Sequence, residues 1–364
     1  MKAAVLFEVN KPLQIEDVSV PNPGPREVLI RTRVAGLCHS DLHFMEGLYP
    51  HPLPAVLGHE SAGVVEKVGS DVTYVKPGDH VVTCLSVFCG TCDYCATGRT
   101  VLCTDTTVKM LPGTSNRLQW GKPEKLHQFL NLSSFAEQML VHENGCVAVR
   151  KDMPLDRAAL IGCAVMTGYG AVTHTSNVRP GDTVAVIGCG GIGLSVVNGA
   201  LLAGAGRIIA IDRLASKLDL ARVFGATDVV DASQVDAVAA VQELTGGGVH
   251  HSFEAIGLKA TTEQAWKMLR RGGTANVIGM IPPGVKIEIH GPDFLSERRI
   301  QGSLMGSNRF PVDMPRLVDF YLSGRLPLDR MISQRIALSQ INEALVELKR
   351  GELARSVVVF DGVA

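Results

Sequence analysis

Six of the nine cysteines fall into two patterns that could bind metal ions. Four of them follow the spacing C-x2-C-x2-C-x7-C, and they are Cys89, Cys92, Cys95 and Cys103. Four thiolates on one short loop can close a tetrahedron around Zn²⁺ with no open position, as structural zinc sites require. The bacterial iron–sulfur spacing closes after three residues and is followed by proline, whereas here the gap is seven and Thr104 follows. We therefore predict a structural zinc site that takes no part in chemistry.

The second pattern is spread along the chain. Cys38 opens the segment C-H-S-D-L-H, His59 stands in G-H-E, and Cys163 stands in I-G-C-A. Two thiolates and one imidazole leave one zinc position for water or an alcohol oxygen, as catalytic zinc sites do. Each residue alone fits a plainer interpretation, with Cys163 as a packed core thiol and His59 as a buried, hydrogen-bonded histidine. The hypothesis of an open zinc site depends on the three residues meeting in space.

A glycine-rich turn, G-C-G-G-I-G, lies directly between an apolar strand and a segment of helical spacing. Its glycines allow a tight turn and the close approach of a pyrophosphate, while the helix start offers free N–H groups. Asp212 ends the next strand, and its carboxylate can accept a hydrogen bond from a ribose hydroxyl and would repel a 2′-phosphate. The positive charge of Arg213, the next residue, weakens that exclusion of NADP because it would attract the 2′-phosphate. We predict a nicotinamide dinucleotide, preferably NAD, held by Gly188, Gly190, Gly191, Gly193 and Asp212.

The apolar patterns around these motifs predict an α/β protein with two kinds of domain. Short Val-rich runs broken by Pro and Gly, at 27–31, 62–68 and 80–82, indicate a β-rich domain over about the first 150 residues. From about Gly181 strands and helices alternate, which predicts a doubly wound parallel sheet with helices on both faces. The tail from about Met305 predicts helices at 315–323 and 339–350 and a strand at 356–360.

Length and composition exclude several classes of protein. The 364 residues indicate about two domains, and 46% hydrophobic with 20% charged residues is typical of globular proteins. With Lys+Arg 35 against Asp+Glu 36 and no long basic block, we expect neither nucleic acid nor a membrane surface as a partner. We find no signal-peptide core and no apolar run long enough to span a bilayer. Cysteines spaced for metal then favour a reducing cytoplasm.

Taken together, these motifs resemble those of the zinc-containing medium-chain alcohol dehydrogenases. The likeness covers essentially the whole chain, and it implies a GroES-like catalytic domain over 1–164 that is completed by 305–364. A Rossmann NAD-binding domain over 165–304 would lie between them in the sequence. The motifs that carry the resemblance are C-x-S-D at Cys38, G-H-E at His59, the four-cysteine lobe, G-C at Cys163, T-G-Y-G at Thr167, the glycine turn with Asp212, and G-E-L-A-R ending at Arg355.

The resemblance also implies roles for the residues of the open site. Cys38, His59 and Cys163 would be the catalytic zinc ligands, with Glu60 as a carboxylate able to approach the metal. Asp41 would orient His59 as a hydrogen-bond partner outside the metal's ligand shell.

Proton transfer and cofactor contacts are implied in the same way. Ser40 would take the hydroxyl proton of the alcohol and pass it through the ribose hydroxyls to His43. Ser40 could equally cap a helix, and His43 could be a surface histidine. The further residues expected to contact the cofactor are His39, Thr167, Arg213, Lys217 and Arg355.

The predicted activity is hydride transfer between NAD(H) and a primary alcohol or its aldehyde, aromatic or of medium chain length, with two Zn²⁺ per chain. A formaldehyde adduct, an S-(hydroxymethyl)thiol, is an alternative substrate, although Gly47 and Tyr49 stand where the resemblance places acidic residues in glutathione-adduct enzymes. A zinc-independent reductase or a catalytically silent NAD-binding protein should lack at least one open-site ligand, and all three are present.

Residues 106–130 form a long insertion after the metal lobe. Many family members with a long loop at this point are dimers, so the resemblance implies a homodimer. Candidates for the walls of a substrate pocket, each of which fits ordinary packing as well, are Leu111, Leu118, Trp120 and Met305.

Overall fold

The computed structural model describes residues 1–351 and 353–360, which form two compact units. The first unit comprises Met1–Cys163, Arg309–Gly324 and the described residues from Met331 onward, and the second comprises Ala164–Asn308 and Arg325–Arg330. The expected domain spans of 1–164, 165–304 and 305–364 stay a prediction. Glu352 of the G-E-L-A-R motif and the last four residues of the chain lie outside the described residues.

Short strands dominate the N-terminal part of the first unit, because its β-branched residues suit a pleated, half-buried surface. The Val-rich runs at 27–31, 62–68 and 80–82 all lie in strands, and each strand is longer than its run. The strands are β1 (Lys2–Leu6), β2 (Gln14–Asp17), β3 (Glu27–Gly36), β4 (Ala55–Val56), β5 (Glu60–Val68), β6 (His80–Thr83), β7 (His127–Gln128), β8 (Gln138–His142) and β9 (Cys146–Val149). The helices are α1 (His39–Met45), α2 (Asp93–Ala96) and α3 (Leu155–Leu160).

Strands and helices alternate in the second unit, as predicted. Its strands are β10 (Thr183–Ile187), β11 (Arg207–Asp212), β12 (Asp228–Asp231), β13 (Val249–Glu254), β14 (Leu269–Val277) and β15 (Arg299–Gly302). Its helices are α4 (Met166–Gly170), α5 (Gly191–Leu202), α6 (Ala215–Phe224), α7 (Ala237–Thr245) and α8 (Lys259–Lys267).

The six strands of the second unit form one parallel sheet in the order β12-β11-β10-β13-β14-β15. This is the Rossmann order, in which the first strand lies at the centre and the order reverses beside it. Ligands of such sheets bind outside the carboxyl ends of the strands at that reversal. The predicted doubly wound sheet is confirmed, and its central strand β10 leads directly into the glycine-rich turn.

The chain completes the first unit with α9 (Phe310–Leu322), β16 (Ile332–Ile336), α10 (Ile341–Arg350) and β17 (Arg355–Val359). β17 pairs with β3, so the tail extends the large sheet, whose order is β16-β17-β3-β5-β6-β9 with β8 also on β3. A smaller sheet has the order β2-β1-β4-β7. A bilayer needs an apolar helix of about 20 residues, and the described part of the chain contains none that qualifies.

The prediction and the structure differ at α9 and at β15. α9 begins at Phe310 rather than at 315, with Pro311 in its first turn, where a missing N–H costs little. Pro315 lies inside this helix, and the burial of Phe310, Met314 and Leu317 keeps the segment helical around it. β15, with the sequence R-I-Q-G, was not predicted, because its pairing with β14 and not its own pattern makes it a strand.

His142, at the end of β8, makes stability depend on pH. Burial, together with the positive charges of Arg26 and Arg117, lowers the pKa of His142 to about 4. A histidine in an unfolded chain titrates near 6.5, so between about pH 6.5 and 4 the unfolded state binds a proton that the folded state does not. The contribution of His142 to the free energy of unfolding is therefore complete above that window and is lost as pH falls through it.

We predict that His142→Gln makes the acid-side decline in the free energy of unfolding shallower, by up to one bound proton. Urea unfolding at pH 7, 6 and 5 measures this slope. His290→Gln is a matched control at a histidine whose side chain is 72% exposed, and it should follow the wild-type curve. Identical slopes for the wild type and His142→Gln would contradict the prediction.

Candidate metal centres

Cys38, His59 and Cys163 come together inside the first unit. Their donor atoms, two Sγ atoms and one imidazole nitrogen, all lie within 4.8 Å of one another. Sγ of Cys163 is 3.4 Å from Nε2 of His59. All three residues are buried. The structure thus joins the three residues of the open pattern, whose role as zinc ligands stays a prediction at this point.

Each of the three donors is carried by a distinct local structure. Cys38 is the N-cap residue of α1. His59 follows Gly58, whose φ of +90° lies in the left-handed region that favours glycine. Cys163 lies in a π-helical turn, Ile161–Val165, and π turns are rare and frequently occur at functional sites.

The Asp41 carboxylate ties two of the ligand-bearing segments together. It accepts hydrogen bonds from the backbone N–H of Cys38 at 3.1 Å and of Gly58 at 3.2 Å. Its Oδ1 is also 3.1 Å from Nδ1 of His59. Because the carboxylate can only accept, Nδ1 donates to it, and in the neutral ring the lone pair belongs to Nε2, which lies 3.4 Å from Sγ of Cys163. This is the geometry required of a group that orients a metal-binding histidine.

The two buried thiols share a hydrogen bond and differ in acidity. That bond lowers the pKa of Cys38 well below its usual value, with help from the positive charge of Arg355 and against the effect of burial. The same bond and burial raise the pKa of Cys163. Burial alone would lower the pKa of His59, but the Asp41 carboxylate raises it well above its usual value. Since Zn²⁺ binds thiolates and neutral imidazole, metal loading here releases protons and is favoured by higher pH.

Glu60 and Arg355 form a buried ionic pair beside these thiols. Oε1 of Glu60 is 3.6 Å from Nε of Arg355, and Nη2 of Arg355 is 3.9 Å from Sγ of Cys38. Glu60 fits here because Gly36 has no side chain, since a Cβ at Gly36 would overlap the carboxylate. The guanidinium charge therefore lies beside the Cys38 thiol, and the expected contact of Arg355 with the cofactor stays a prediction.

The donor set fits Zn²⁺. A tetrahedral ion with Zn–S near 2.3 Å and Zn–N near 2.0 Å keeps neighbouring donors roughly 3.6 Å apart. The distance of 3.4 Å between Cys163 Sγ and His59 Nε2 is close to that value. Two thiolates with one imidazole form the ligand set of a catalytic zinc that keeps its fourth position open.

The four-cysteine lobe forms a second donor cluster, in which all four Sγ atoms lie within 4.8 Å of one another. Three Sγ–Sγ distances, of 3.5, 3.9 and 3.9 Å, are close to the edge of about 3.8 Å expected for a ZnS₄ tetrahedron. Hydrogen bonds from the backbone of Thr91 and Cys92 lower the pKa of Cys89 to about 6, which favours its thiolate. The lobe fits a single Zn²⁺ with no open position; an iron–sulfur cluster, which contains several irons, would hold its cysteines further apart.

Helix α1 carries the residues expected to move a proton. Oγ of Ser40 is 3.6 Å from Sγ of Cys38. His43 lies one turn later, where its ring stacks on Tyr49 and its buried Nδ1 has no hydrogen-bond partner among the described residues. The alternative of Ser40 as a helix cap is wrong, because Cys38 occupies the N-cap position. His39 is exposed at the first residue of the helix.

The glycine-rich turn of the second unit lies between β10 and α5. Gly188 has a φ of +93°, and a Cβ at Gly193 would overlap its carbonyl oxygen. Gly190 is the N-cap residue of α5 and provides no side-chain cap, and a Cβ there would meet nothing within 4 Å. No side chain of the described residues therefore stands in front of the start of α5, and a helix N-terminus of this kind can receive a pyrophosphate.

Asp212, at the end of β11, binds this turn. Its carboxylate accepts a hydrogen bond from the backbone N–H of Cys189 at 2.8 Å and others from Arg213 at 2.7 Å and Leu214 at 3.1 Å. The carboxylate is only partly buried, and its two oxygens have lone pairs for further donors. It can therefore receive ribose hydroxyls while it holds the turn in position.

Three further cofactor candidates lie in the second unit, on α4, on α6 and in the segment between β11 and α6. Thr167 is buried on α4, with its Oγ1 3.5 Å from Sδ of Met305. Arg213 is exposed just after β11, and Lys217 is half-buried on α6. These positions leave their cofactor contacts as predictions.

Comparison with known proteins identifies the family. Residues 24–151 match the model of the alcohol dehydrogenase GroES-like domain, and residues 191–323 match that of the zinc-binding dehydrogenases. The S-(hydroxymethyl)glutathione dehydrogenase of Saccharomyces cerevisiae is 37% identical over 372 residues, which cover 99% of this chain and 96% of that protein. The chain belongs to the zinc-dependent alcohol dehydrogenase family. It is therefore an oxidoreductase, and the predicted resemblance is confirmed.

Solved structures of this alcohol dehydrogenase family share the whole fold. An alcohol dehydrogenase zinc-binding domain protein from Burkholderia ambifaria is 38% identical with a TM-score of 0.94, and 99% of each chain is covered. The benzyl alcohol dehydrogenase of Acinetobacter calcoaceticus is 32% identical with a TM-score of 0.93 and the same coverage. The predicted fold class, a GroES-like domain with a Rossmann domain, is confirmed.

Some features of the alcohol dehydrogenase site carried no signal in the sequence. The ring of Phe129 lies 6.0 Å from that of His59, and no motif marks it. Leu118 packs in a core cluster and Trp120 stacks on Phe7, so both fit the interpretation as packing residues. Leu118 and Trp120 alternate with polar residues in the sequence. Core residues and pocket residues can both show this alternation, so only the tertiary structure distinguishes the two roles.

We predict that Asp41→Asn weakens zinc binding at the open site by about 10–100-fold, because it removes the negative charge that fixes the His59 tautomer. Competition with a chelator measures the affinity, and zinc in the four-cysteine lobe is an internal control that should not change. Asp17→Asn, at an exposed carboxylate, is the control variant. An unchanged affinity in Asp41→Asn, with the fold intact by circular dichroism, would show that Asp41 does not orient the ligand.

Proposed function

We propose that this alcohol dehydrogenase oxidises a primary alcohol, aromatic or of medium chain length, to its aldehyde and transfers the hydride to NAD. The observation that carries the proposal is the convergence of Cys38, His59 and Cys163 on one buried point. Such a set holds Zn²⁺ with one position left for the alcohol oxygen. A catalytically silent protein of this fold has no need to keep all three donors together.

Zn²⁺ bound to these residues would act as a Lewis acid and lower the pKa of the alcohol hydroxyl. The chain supplies the surroundings of the ion. Asp41 holds His59 in the tautomer that leaves Nε2 free to bind. Arg355 keeps a positive charge beside the Cys38 thiolate, and Glu60 balances that charge in a region shielded from water. The four-cysteine lobe would hold the second Zn²⁺ of the chain, with a structural role.

Ser40 is the proposed acceptor of the hydroxyl proton. Its Oγ lies beside the first zinc ligand, and a serine hydroxyl can receive one proton while it donates its own. His43 stands three residues later on the same helical face, and its Nδ1, which has no hydrogen-bond partner in the described part of the chain, can accept the proton that leaves the site. An imidazole is suited to this role because it changes charge near physiological pH.

NAD would supply the hydride acceptor. In the second unit, the N–H groups at the start of α5 would receive its pyrophosphate, and Asp212 would receive the ribose hydroxyls. We propose that NAD also contacts five further side chains, those of His39, Thr167, Arg213, Lys217 and Arg355. A negative charge at Asp212 disfavours NADP, because the 2′-phosphate would lie against it.

The choice of substrate rests on similarity to two relatives. The named substrate of the Acinetobacter relative is benzyl alcohol, which supports an aromatic primary alcohol. The yeast relative is named for S-(hydroxymethyl)glutathione, which makes a formaldehyde–thiol adduct the second candidate. Turnover of benzyl alcohol and octanol, set against formaldehyde mixed with glutathione, discriminates between the two.

A reducing cytoplasm is the proposed location. All nine cysteines lie in the described part of the chain as free thiols, six of them in the two donor clusters. Thiolate ligands keep their metals where glutathione and thioredoxin keep cysteines reduced.

Cys163→Ala should reduce alcohol-dependent NADH formation by at least about a hundredfold, because the catalytic metal loses a ligand. NAD binding, measured by calorimetry, should persist, since the glycine turn and Asp212 are untouched. Cys146→Ala removes another buried thiol that belongs to neither cluster and should retain activity. Wild-type turnover in Cys163→Ala would contradict the proposal.

Asp212→Asn keeps a hydrogen-bond acceptor for the Cys189 N–H and removes the charge. We expect the preference for NAD over NADP, as a ratio of kcat/KM values, to fall by at least about tenfold, or about 1.4 kcal/mol. Asp231→Asn, which removes the charge of the residue opposite Asp212 in the neighbouring strand β12, should leave the ratio unchanged. If Asp212→Asn keeps the same NAD-to-NADP ratio of kcat/KM values as Asp231→Asn and the wild type, Asp212 does not select the cofactor.

We also propose that the protein forms a homodimer, and that the two copies meet at the β15 edge of the second unit. Residues on both sides of β15 expose large apolar side chains, with Phe294 49%, Leu295 91% and Leu304 54% exposed. Within the described residues β15 pairs only with β14, so its outer edge has unpaired backbone groups. An apolar surface beside an open strand edge is a typical site of association.

We expect the wild type to elute as a dimer in size-exclusion chromatography with light scattering. Leu295→Glu should shift it toward a monomer at micromolar concentration, because a charge would then be buried in the contact. Val346→Glu, at another exposed apolar residue in the first unit, is the control and should remain dimeric. A dimer of unchanged stability in Leu295→Glu would exclude this edge as the contact.

A further inference from the structure

A serine, a histidine and an aspartate are joined in series in the second unit, and none of them belongs to the proposed dehydrogenase site. Oγ of Ser176 is 2.6 Å from Nδ1 of His251, and Nε2 of His251 is 3.1 Å from Oδ2 of Asp182. At such distances a nucleophile, its general base and the group that orients the base act together in covalent catalysis. No sequence motif marks this set, because its members come from three separate segments.

Each member of the set lies on a different element. Ser176 is the last residue of a π-helical turn, Ala171–Ser176, and Asn177 then bends the chain with a left-handed φ of 53°. Asp182 lies directly before β10, and His251 lies on β13, the neighbour of β10 in the sheet. Turns of the π type are rare and frequently occur at functional sites.

The hydrogen bonds set the direction of proton transfer within the set. The Asp182 carboxylate can only accept, so Nε2 of His251 carries the ring proton and donates it. In the neutral ring the lone pair then belongs to Nδ1, which accepts the O–H of Ser176. Oδ2 of Asp182 also accepts the backbone N–H of Arg179 at 2.8 Å, which holds the carboxylate in place. This is the arrangement in which a histidine removes the proton of a serine.

Burial keeps the His251 ring in the form that a general base requires. It lowers the pKa of His251 below the usual value of 6.5, against the opposing effect of the Asp182 carboxylate. The ring is therefore neutral at physiological pH and can take up a proton. The His251 side chain is nevertheless 14% exposed, and Ser176 is partly exposed as well, so neither residue is sealed from solvent.

Asn276 supplies an amide donor at the serine oxygen. Its Nδ2 lies 3.0 Å from Oγ of Ser176 and also donates to the carbonyls of Ser252 at 3.2 Å and Thr274 at 3.3 Å. Its Oδ1 accepts from Nε2 of Gln301 at 2.9 Å, which decides which end of the amide lies at the serine. A side-chain amide in such a position can stabilise the negative charge that develops when a serine attacks a carbonyl.

We propose that Ser176 is a nucleophile activated by His251 and Asp182, and that it reacts with small acyl esters. Oγ forms a bond to the carbonyl carbon while its proton passes to Nδ1 of His251. The bond to the alcohol oxygen of the ester then breaks, and that oxygen leaves with the proton. Water attacks the acyl-serine in the same way, which releases the carboxylic acid and restores the hydroxyl. All the residues named lie in the second unit, so the reaction does not use the open metal site.

Diisopropyl fluorophosphate tests the nucleophile directly, because Oγ of an activated serine bonds to phosphorus while fluoride leaves and the histidine takes the proton. We expect the full-length zinc enzyme to gain one label per chain, which mass spectrometry should find on Ser176. His251→Gln keeps a polar side chain without a basic nitrogen, and it should lower the labelling rate at least about a hundredfold. Ser233→Ala removes a hydroxyl that donates to the Asp231 carboxylate rather than to a histidine, and it should label like the wild type.

Several results of this labelling would overturn the inference. They are the absence of a label, a label on another residue alone, and equal labelling rates in the wild type and His251→Gln. Ser176 would then be a hydrogen-bonded serine with a purely structural role.

Turnover of p-nitrophenyl acetate tests the reaction with an ester. The wild type should release about one p-nitrophenol per chain in a burst before the steady state, which is the kinetic sign of an acyl-enzyme. Ser176→Ala should lose the burst and keep the circular dichroism spectrum of the wild type. A burst that persists in Ser176→Ala would assign the reaction to another group and overturn the inference. Alcohol oxidation is measured separately, and its absence would count against the proposed function alone.

Discussion

A single buried carboxylate determines the geometry of the open metal site. Asp41 is fully buried and is surrounded by three N–H donors, from Cys38, Gly58 and His59. A buried charge is costly unless hydrogen bonds compensate it, and charge-assisted bonds are the strongest available. The same three bonds hold the start of α1 against the bend before β5. One interaction therefore compensates a buried charge, joins two segments distant in sequence and selects the histidine tautomer that can bind zinc.

Asp212 has an analogous task in the second unit. It binds the Cys189 N–H and thereby holds the glycine turn against the end of β11, at the carboxyl edge of the parallel sheet. In both units a carboxylate that accepts backbone N–H groups positions the atoms that would touch a ligand.

The sequence predicted two groups of Cys and His residues that the structure brings together, because Cys and His at these spacings have few structural reasons to recur together. It predicted the doubly wound sheet from the alternation of strands and helices around the Gly188 turn. It could not predict β15, whose R-I-Q-G sequence becomes a strand only through pairing, or the start of α9, because Pro315 imitates a helix boundary. The proximity of Arg355 to Cys38 and the contact of Ser176 with His251 depend on long-range packing, which has no local pattern.

The proposed chemistry depends on the convergence of three donors on one ion. Anomalous diffraction at the zinc K edge, from crystals of the zinc-replete protein, tests this directly. We expect one peak at about 2.3 Å from Sγ of both Cys38 and Cys163 and about 2.0 Å from Nε2 of His59, and a second peak at the centre of the four-cysteine lobe. Zinc in the lobe alone, or an ion near Cys38 that His59 does not bind, would contradict this convergence.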